Sequence, residues 1–335
     1  MAERSNNNPW FGLGCEMPNT FQVYIKSVTH EADGVLAYEL KGLEGVTLPA
    51  FTPGAHIDVI AEAIPLRSYS LLNEPSERNR YVIAVAKDPK SRGGSIMIHE
   101  RLRPGDRLQV SEPRNLFPLS EGEHRSVLIA GGIGVTPLWC MAQHLNSKNM
   151  DWELHYFARS VNHAALIDAM QGHITQDKVQ LLLGYDVEAT VAHIQEVFRG
   201  DDGTRHYYCC GPAGMIQAYS QQAKALSIAD SRVHFESFIP LQEAATSGGY
   251  EIVLAKTGKT LKMEQGKSML DALIENGVEV MHSCREGICG ACEVRVLEGT
   301  PDHRDSILSE AEKQAGKTVF VCCSGSKTPR MVLDL

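Results

Sequence analysis

No stretch of this sequence strings together the eighteen or so apolar residues that a membrane-spanning helix needs. The segment from Met1 to Asn8 is polar and lacks the apolar centre of a secretory signal, so a cytoplasmic protein is expected. Positive charge is scarce as well, with 32 Lys and Arg against 41 Asp and Glu, a net charge of −9 and a pI near 5.8. That balance argues against a nucleic-acid partner, which asks for a basic face. There is no haem motif and no His-His-carboxylate set suited to an open iron site. Nothing in the chain therefore points to direct activation of O2. A G-x-G-x-x-G run is missing, and so are internal repeats and low-complexity tracts. What remains is a chain of 335 residues, 43% apolar, enough for two or three domains with real cores. Its nine cysteines, with no secretory signal before them, read as ligands and buried thiols rather than disulfides.

The cysteines carry the strongest signal. Cys284, Cys289 and Cys292 are spaced C-x4-C-x2-C, and Cys322 answers them far downstream. This is the spacing of a plant-type [2Fe–2S] cluster. Gly287 and Gly290 suit a loop whose backbone must curl tightly around inorganic sulfide. Zinc prefers two short cysteine knuckles, and only one C-x2-C pair is present. Transfer of single electrons is the chemistry these residues imply.

Three blocks are legible. Residues 21–122 hold short alternating or β-branched runs, from Gln22 and Val35 to Leu108, separated by Asp33-Gly34, Pro53-Gly54 and Pro104-Gly105-Asp106. They predict a small antiparallel barrel with one short helix over Ser95–Leu102. Residues 123–241 change period. Val127–Ala130 reads as a buried strand running into Gly131-Gly132-Ile133-Gly134, then a helix with Thr136 as N-cap and Pro137 at its first position. Further strands at Trp152–Ala158, Val179–Leu183 and His206–Cys209 alternate with helical stretches, which is the grammar of a parallel sheet. Residues 242–249, small and polar, predict a linker. Residues 250–335 open with two strands and a helix over Ser268–Asn276 ahead of the cysteine loop, as a β-grasp ferredoxin would. Residues 1–20 form an N-terminal extension, including Trp10-Phe11-Gly12, to which no role is assigned.

Two nucleotide sites are suggested by local chemistry. In Arg67-Ser68-Tyr69-Ser70 an arginine can grip a phosphate through paired hydrogen bonds. Tyr69, two residues on, shares its strand face and offers a ring for stacking, while Ser70 supplies a hydroxyl for a flavin nitrogen. Arg92-Gly93-Gly94-Ser95 bares backbone N–H groups where a helix begins, a second place for phosphate. In the parallel block, the glycine turn at Gly132 and the helix opening at Thr136 sit where a pyrophosphate would be received. The usual ribose-binding acid is replaced by Arg159, which could meet a 2′-phosphate. Cys210 and Gly211 repeat the strand–turn–helix form at a later strand, with the thiol able to lie against a nicotinamide ring.

Taken in order, these motifs make the chain resemble the phthalate dioxygenase reductase family within the ferredoxin–NADP reductase superfamily, over about residues 21–335. Vanillate demethylase and carnitine monooxygenase reductases are similar. The resemblance implies a multidomain α/β plus all-β protein: an antiparallel flavin-binding barrel, a parallel-sheet nicotinamide-binding domain and a C-terminal β-grasp ferredoxin. It implies that Arg67, Tyr69 and Ser70 hold the flavin within the Arg67–Ser70 motif, with Arg92, Gly93, Gly94 and Ser95 near its phosphate. Gly132, Thr136, Cys210 and Gly211 would line the nicotinamide path, and Phe238 would pack near the flavin. Cys322 rather than Cys323 is the implied fourth ligand, since the family strand ends on it. The implied cofactors are FMN, with FAD the alternative, a [2Fe–2S] cluster and NADH, with NADPH left open by Arg159. The implied activity is electron transfer from NADH to a Rieske-type terminal oxygenase. No acid–base residue is named, because hydride transfer requires none. A reductase for another acceptor, diaphorase-like, and an iron–sulfur redox sensor are the alternatives.

Overall fold

The computed structural model describes residues 20–61, 64–89, 93–122, 124–171 and 178–335. They fall into two compact units, one ending at Phe238 and the other running from Ile239 to Leu335. Most of the N-terminal extension, with Trp10-Phe11-Gly12, and Arg92 lie outside the described residues.

The first unit begins with β1 (Thr20–Ala32), β2 (Val35–Gly42), β3 (Ala55–Ala61), β4 (Ile64–Ser70), β5 (Tyr81–Ala86), helix α1 (Gly94–Arg101), β6 (Arg107–Ser111) and the short β7 (Arg114–Asn115). These strands make one antiparallel sheet in the order β4-β3-β6-β1-β2-β5, with β7 on β3. An antiparallel bridge from Leu71, just past β4, to Ile83 in β5 brings the two ends of the sheet together. Alternation sends Val23, Ile25, Leu40, Ile57, Val59 and Val110 inward to one buried cluster. The α1 helix is tied to this barrel by the Tyr38 hydroxyl, which donates to the Ile98 carbonyl at 3.2 Å.

A parallel sheet follows: β8 (Ser126–Gly131), β9 (Trp152–Ala158), β10 (Val179–Leu183), β11 (His206–Cys210) and β12 (Val233–Glu236), in the order β10-β9-β8-β11-β12. Helices α2 (Val135–Ser147), α3 (Ile167–Gln171), α4 (Val187–Arg199) and α5 (Ala213–Ala225) connect its strands. The chain winds outward from β8 to β10 and returns to β11 on the other flank. The strand order therefore reverses between β8 and β11, which opens a crevice at their carboxyl ends. Barrel and parallel sheet share one core: Ala32, Val35, Leu72 and Ala84 pack in the same cluster as Leu138, Met141 and Leu145 of α2. The Cys140 thiol donates to the Asn73 carbonyl, and Gln143 Nε2 donates to the Leu72 carbonyl at 2.7 Å, across the same seam.

The second unit contains β13 (Glu251–Leu254), β14 (Thr260–Lys262), α6 (Met269–Glu275), β15 (Glu293–Glu298), β16 (Pro301–Asp302), α7 (Glu310–Ala315), β17 (Thr318–Phe320), β18 (Gly325–Ser326) and β19 (Arg330–Leu333). Its main sheet runs β14-β13-β19-β15-β17, with β13 parallel to β19, and α6 buries Leu270 and Leu273 in the core. Ser268 and Asp271 cap α6 reciprocally, which fixes where the cysteine loop departs. Residues 242–249 are irregular, as their composition predicts, yet they are fastened to this unit. Ala245 N–H donates to the Cys323 carbonyl, Gly249 N–H to that of Met263, and the Thr246 carbonyl accepts from Gly266.

Candidate functional site

Strand β4 faces Arg67 and Tyr69 one way and Ser68 and Ser70 the other. The reverse side is occupied by structure: Ser68 Oγ donates to Asp58 Oδ1 at 2.6 Å, and Arg114 Nη2 donates to Oδ2 at 2.8 Å. The Asp58 carboxylate is wholly buried, and its own N–H donates to Ser111 Oγ. The Ser68 hydroxyl is thus committed to holding the strand. On the front, Arg67 lies across Gly94, where a Cβ would stand 3.0 Å from the arginine Nε. Gly93, at φ 97, is the N-cap of α1, and Ser95 Oγ accepts from Asp88 N–H at 3.1 Å. Two segments distant in sequence therefore meet as one seat, a guanidinium beside the backbone of a glycine-led helix start, suited to a phosphate. Tyr69 rests against the barrel core beside it, and burial pushes its phenol above the ordinary range. The cradle at Gly94, which any side chain would fill, fits a flavin nucleotide entering by its phosphate.

The second site lies in the switch-point crevice. Cys210 pairs with Ala130 of β8 on one side and Glu236 of β12 on the other. The glycine turns after β8 and β11 press together: a Cβ on Gly211 would stand 3.2 Å from the Gly131 Cα and 2.9 Å from Met215 Sδ. Gly132 has φ 54, open to glycine but strained for other residues. One expectation is corrected here. Thr136 is not the N-cap, because Gly132–Gly134 already forms a 3-10 turn and α2 begins at Val135 behind Gly134. The Thr136 hydroxyl instead donates back to the Ile133 carbonyl at 3.0 Å. Pro137 falls third in the helix, still among the first-turn positions whose N–H has no helical partner. Arg159 is exposed just past β9, at the same edge of the sheet, and Phe238 packs against the shared core.

Glu236 is the residue that sequence reasoning missed. Its Oε2 is buried without a hydrogen-bond partner, and desolvation pushes the carboxyl up to about 8. Burial first, then Glu236 and Cys209, push the Cys210 thiol well above its usual range. A neutral acid and a neutral thiol side by side at the crevice make a surface without charge, fit to receive a nicotinamide ring. No strand was predicted over Val233–Glu236, so the sequence carried no signal for this residue.

In the second unit Arg285, Gly287 and Gly290 all have positive φ, at 61, 70 and 75, and curl the cysteine loop as expected. Cys284, Cys289, Cys292 and Cys322 are all buried. The thiol of Cys289 is raised above its ordinary range by Cys284 and then by burial, and that of Cys292 by Cys322 and then by burial. Among the described residues no three donors converge as they would on a single ion. A binuclear cluster asks for something else, four thiolates shared between two irons, and the four buried sulfurs lie within interaction range of one another, Cys284 with Cys289 and Cys322, and Cys292 with Cys322. Backbone N–H groups already point at them: Glu286 donates to Cys284 Sγ at 3.3 Å and Cys284 to Cys289 Sγ at 3.4 Å. Four mutually repelling thiolates need positive charge between them, and ferric and ferrous iron supply it. The set fits a [2Fe–2S] cluster. Cys323 packs against the back of this loop, its sulfur 2.5 Å from where a Gly287 Cβ would be, and faces the Phe320 carbonyl at 3.7 Å.

Comparison with known proteins agrees. Residues 252–326 match the family described as 2Fe-2S iron-sulfur cluster binding domain. The phenoxybenzoate dioxygenase subunit beta of Ectopseudomonas oleovorans is 44% identical, over 93% of this chain and 96% of that protein. The tetrachlorobenzoquinone reductase of Sphingobium chlorophenolicum is 41% identical, over 95% and 98%. A solved phthalate dioxygenase reductase, described as a modular structure for electron transfer from pyridine nucleotides to [2Fe–2S], is 33% identical with a TM-score of 0.70, over 94% of this chain and 98% of its own. Fold and sites define an NADH-dependent flavin iron–sulfur oxidoreductase. The chain belongs to the phthalate dioxygenase reductase family, and the fold class read from its sequence is borne out.

Proposed function

We propose that this chain is the reductase component of a two-component oxygenase system, carrying electrons from NADH through FMN and a [2Fe–2S] cluster to a Rieske-type terminal oxygenase in the cytoplasm. The observation that carries this reading is the buried set Cys284, Cys289, Cys292 and Cys322 around a loop curled at Gly287 and Gly290, on the same chain as a phosphate seat and a switch-point crevice. When bound, the flavin accepts an electron pair as hydride and releases electrons singly to the cluster. The chain's own residues bind and orient. Arg67, Gly93 and Gly94, with Arg92, receive the flavin phosphate; Tyr69 flanks the ring, with Ser70 at the strand end and Ser68 bracing the strand from behind. Ser95 holds the loop through Asp88. Gly132, Thr136 and Gly211 shape the nicotinamide path, Cys210 lies against the ring, Arg159 meets the adenosine end and Phe238 packs near the flavin. Cys284, Cys289, Cys292 and Cys322 are the cluster ligands. FMN suits a barrel with no evident adenosine-binding insertion, and reduced, buried thiols suit the cytoplasm.

A second reading has a specific support, the relative named as a quinone reductase: the electrons could pass to a small quinone. An anaerobic NADH titration followed by visible absorption and low-temperature EPR tests the relay. Flavin bleaching followed by a rhombic reduced [2Fe–2S] signal is expected, and a cluster that NADH leaves oxidised would overturn it. Turnover with benzoquinones faster than with any oxygenase component would favour the second reading.

A further inference from the structure

The second unit carries a polar pair that electron transfer, as described above, leaves unused. Between β16 and α7, the side chains of His303 and Asp305 are 5% and 0% exposed, with His303 Nδ1 3.6 Å from Asp305 Oδ2. Both ring nitrogens and Oδ2 are buried without a well-formed hydrogen bond. Asp305 Oδ1, in contrast, accepts from the N–H groups of Ile307 and Leu308 at 3.1 and 2.8 Å, so the carboxylate cannot turn away. Buried polar atoms without partners are costly and uncommon, and three in one place call for a role.

The pair is fastened to the cysteine loop. Ser306 N–H donates to the Gly287 carbonyl at 3.0 Å, and a Cβ on Gly287 would stand 3.2 Å from the Asp305 Cα. Gly287 lies in the C-x4-C stretch between Cys284 and Cys289. A second tie, from Arg304 N–H to Ser324 Oγ at 3.1 Å, joins the segment to the strand end that carries Cys322 and Cys323.

We propose that His303 and Asp305 form a proton-acceptor site that fills when the cluster takes its electron, so that cluster reduction draws one proton from solvent. This rests on the reading of Cys284, Cys289, Cys292 and Cys322 as cluster ligands. The balance is simple: one electron arrives from the reduced flavin, one proton moves from water to the His303 imidazole, and both leave on reoxidation. No other bond forms or breaks. The physical cause is charge. An electron added to the loop raises the negative potential around a poorly solvated site, where interactions are weakly screened. Protonation there turns the 3.6 Å approach to Asp305 into a charge-assisted hydrogen bond.

The other groups facing the ring set the starting state. Burial holds the imidazole below its usual range; Asp305 opposes this, Lys313 of α7 adds to it, a main-chain group of Lys313 opposes it and Lys327 adds to it. Without the cluster these groups hold the ring neutral at neutral pH, and the negative charge that the cluster brings works against the two lysines.

The test is an EPR-monitored redox titration of the cluster in the full-length holoprotein, from about pH 5.5 to about pH 8.5, across the imidazole range. The midpoint potential is expected to fall as pH rises, with a limiting slope of about 59 mV for each tenfold drop in proton activity in a one-electron couple. In His303→Gln the slope should vanish, with the flavin's own pH dependence intact as the internal control. Asp305→Asn should reduce the slope without abolishing the cluster signal. A pH-independent potential in the unaltered protein overturns the proposal without recourse to any variant, and so does a slope that survives His303→Gln. Absence of any [2Fe–2S] signal would instead overturn the ligand reading, and the proposal with it.

Discussion

Gly134 and Cys210 meet backbone to backbone: a Cβ on Gly134 would stand 2.2 Å from the Cys210 carbonyl oxygen and 2.5 Å from its carbon. Neither partner is the end of a flexible side chain, so neither can give way cheaply. The start of α2 is thereby locked against the end of β11, and the floor of the nicotinamide crevice is fixed before any ligand arrives. Gly134→Ala is expected to destabilise the first unit by about 1–3 kcal/mol, the usual cost of overpacking. It should also slow flavin reduction by NADH more than it lowers flavin content. Urea unfolding and stopped-flow reduction would show both effects, and a variant with unaltered stability and rate would contradict the geometry.

Arg67 and the Gly93–Gly94 loop form one anion seat, so its two halves should fail together. Arg67→Lys keeps the charge but loses the planar fork. Removing charge-assisted hydrogen bonds worth roughly 1.5–3 kcal/mol should weaken flavin retention about 10- to 100-fold. Ultrafiltration of the purified variant, with flavin measured in the filtrate, reads this directly. Gly94→Ala should give a similar loss by pushing Arg67 aside.

Glu236 should leave its mark on stability as a function of pH. Its carboxyl is raised from 4.5 to about 8 in the folded chain, so between those values the folded state holds a proton that the unfolded state has released. The stabilising contribution is therefore full below about pH 4.5 and is lost as pH rises through about 8. Across that window stability falls by roughly 1.4 kcal/mol for each tenfold drop in proton activity. Glu236→Gln should remove that slope and unfold at higher urea than the parent protein at about pH 9, above the window. Equal slopes in the two proteins would show that the carboxyl is solvated.

The two adjacent cysteines that follow β17 should behave differently. Cys322→Ser is expected to lose iron and labile sulfide while keeping flavin and its reduction by NADH. Cys323→Ser should retain the cluster, since that sulfur packs behind Gly287 and not beside Cys292. Iron and sulfide assays with EPR on both variants decide the matter, and the reverse pattern would exchange the assignments.

Much of this architecture was legible because it is local. Trp152–Ala158 and Val179–Leu183 are strands end to end as their runs predict, and the cysteine spacing with Gly287 and Gly290 dictates a curled loop on its own. Other parts depend on distance in space. Nothing in Ile64–Ser70 marks it as the strand that Asp58 and Arg114 brace from behind. The start of α2 was misplaced because Thr-Pro is a strong local cap signal, while the 3-10 turn that overrides it is set by the approach of Gly134 to Cys210. Glu236 and the His303–Asp305 pair were invisible for the same reason. Their chemistry comes from the removal of water, and a sequence does not say which side chains lose it.

The core shared by barrel and parallel sheet has a further consequence. Leu72 and Ala84 lie in one cluster with Leu138 and Met141, whereas the ferredoxin unit closes its own cluster from Tyr250 to Leu333. The flavin and nicotinamide modules are then expected to melt as a single cooperative block. A substitution that loosens Leu138 would therefore loosen the flavin seat along with the nicotinamide crevice, although the side chain lies in neither.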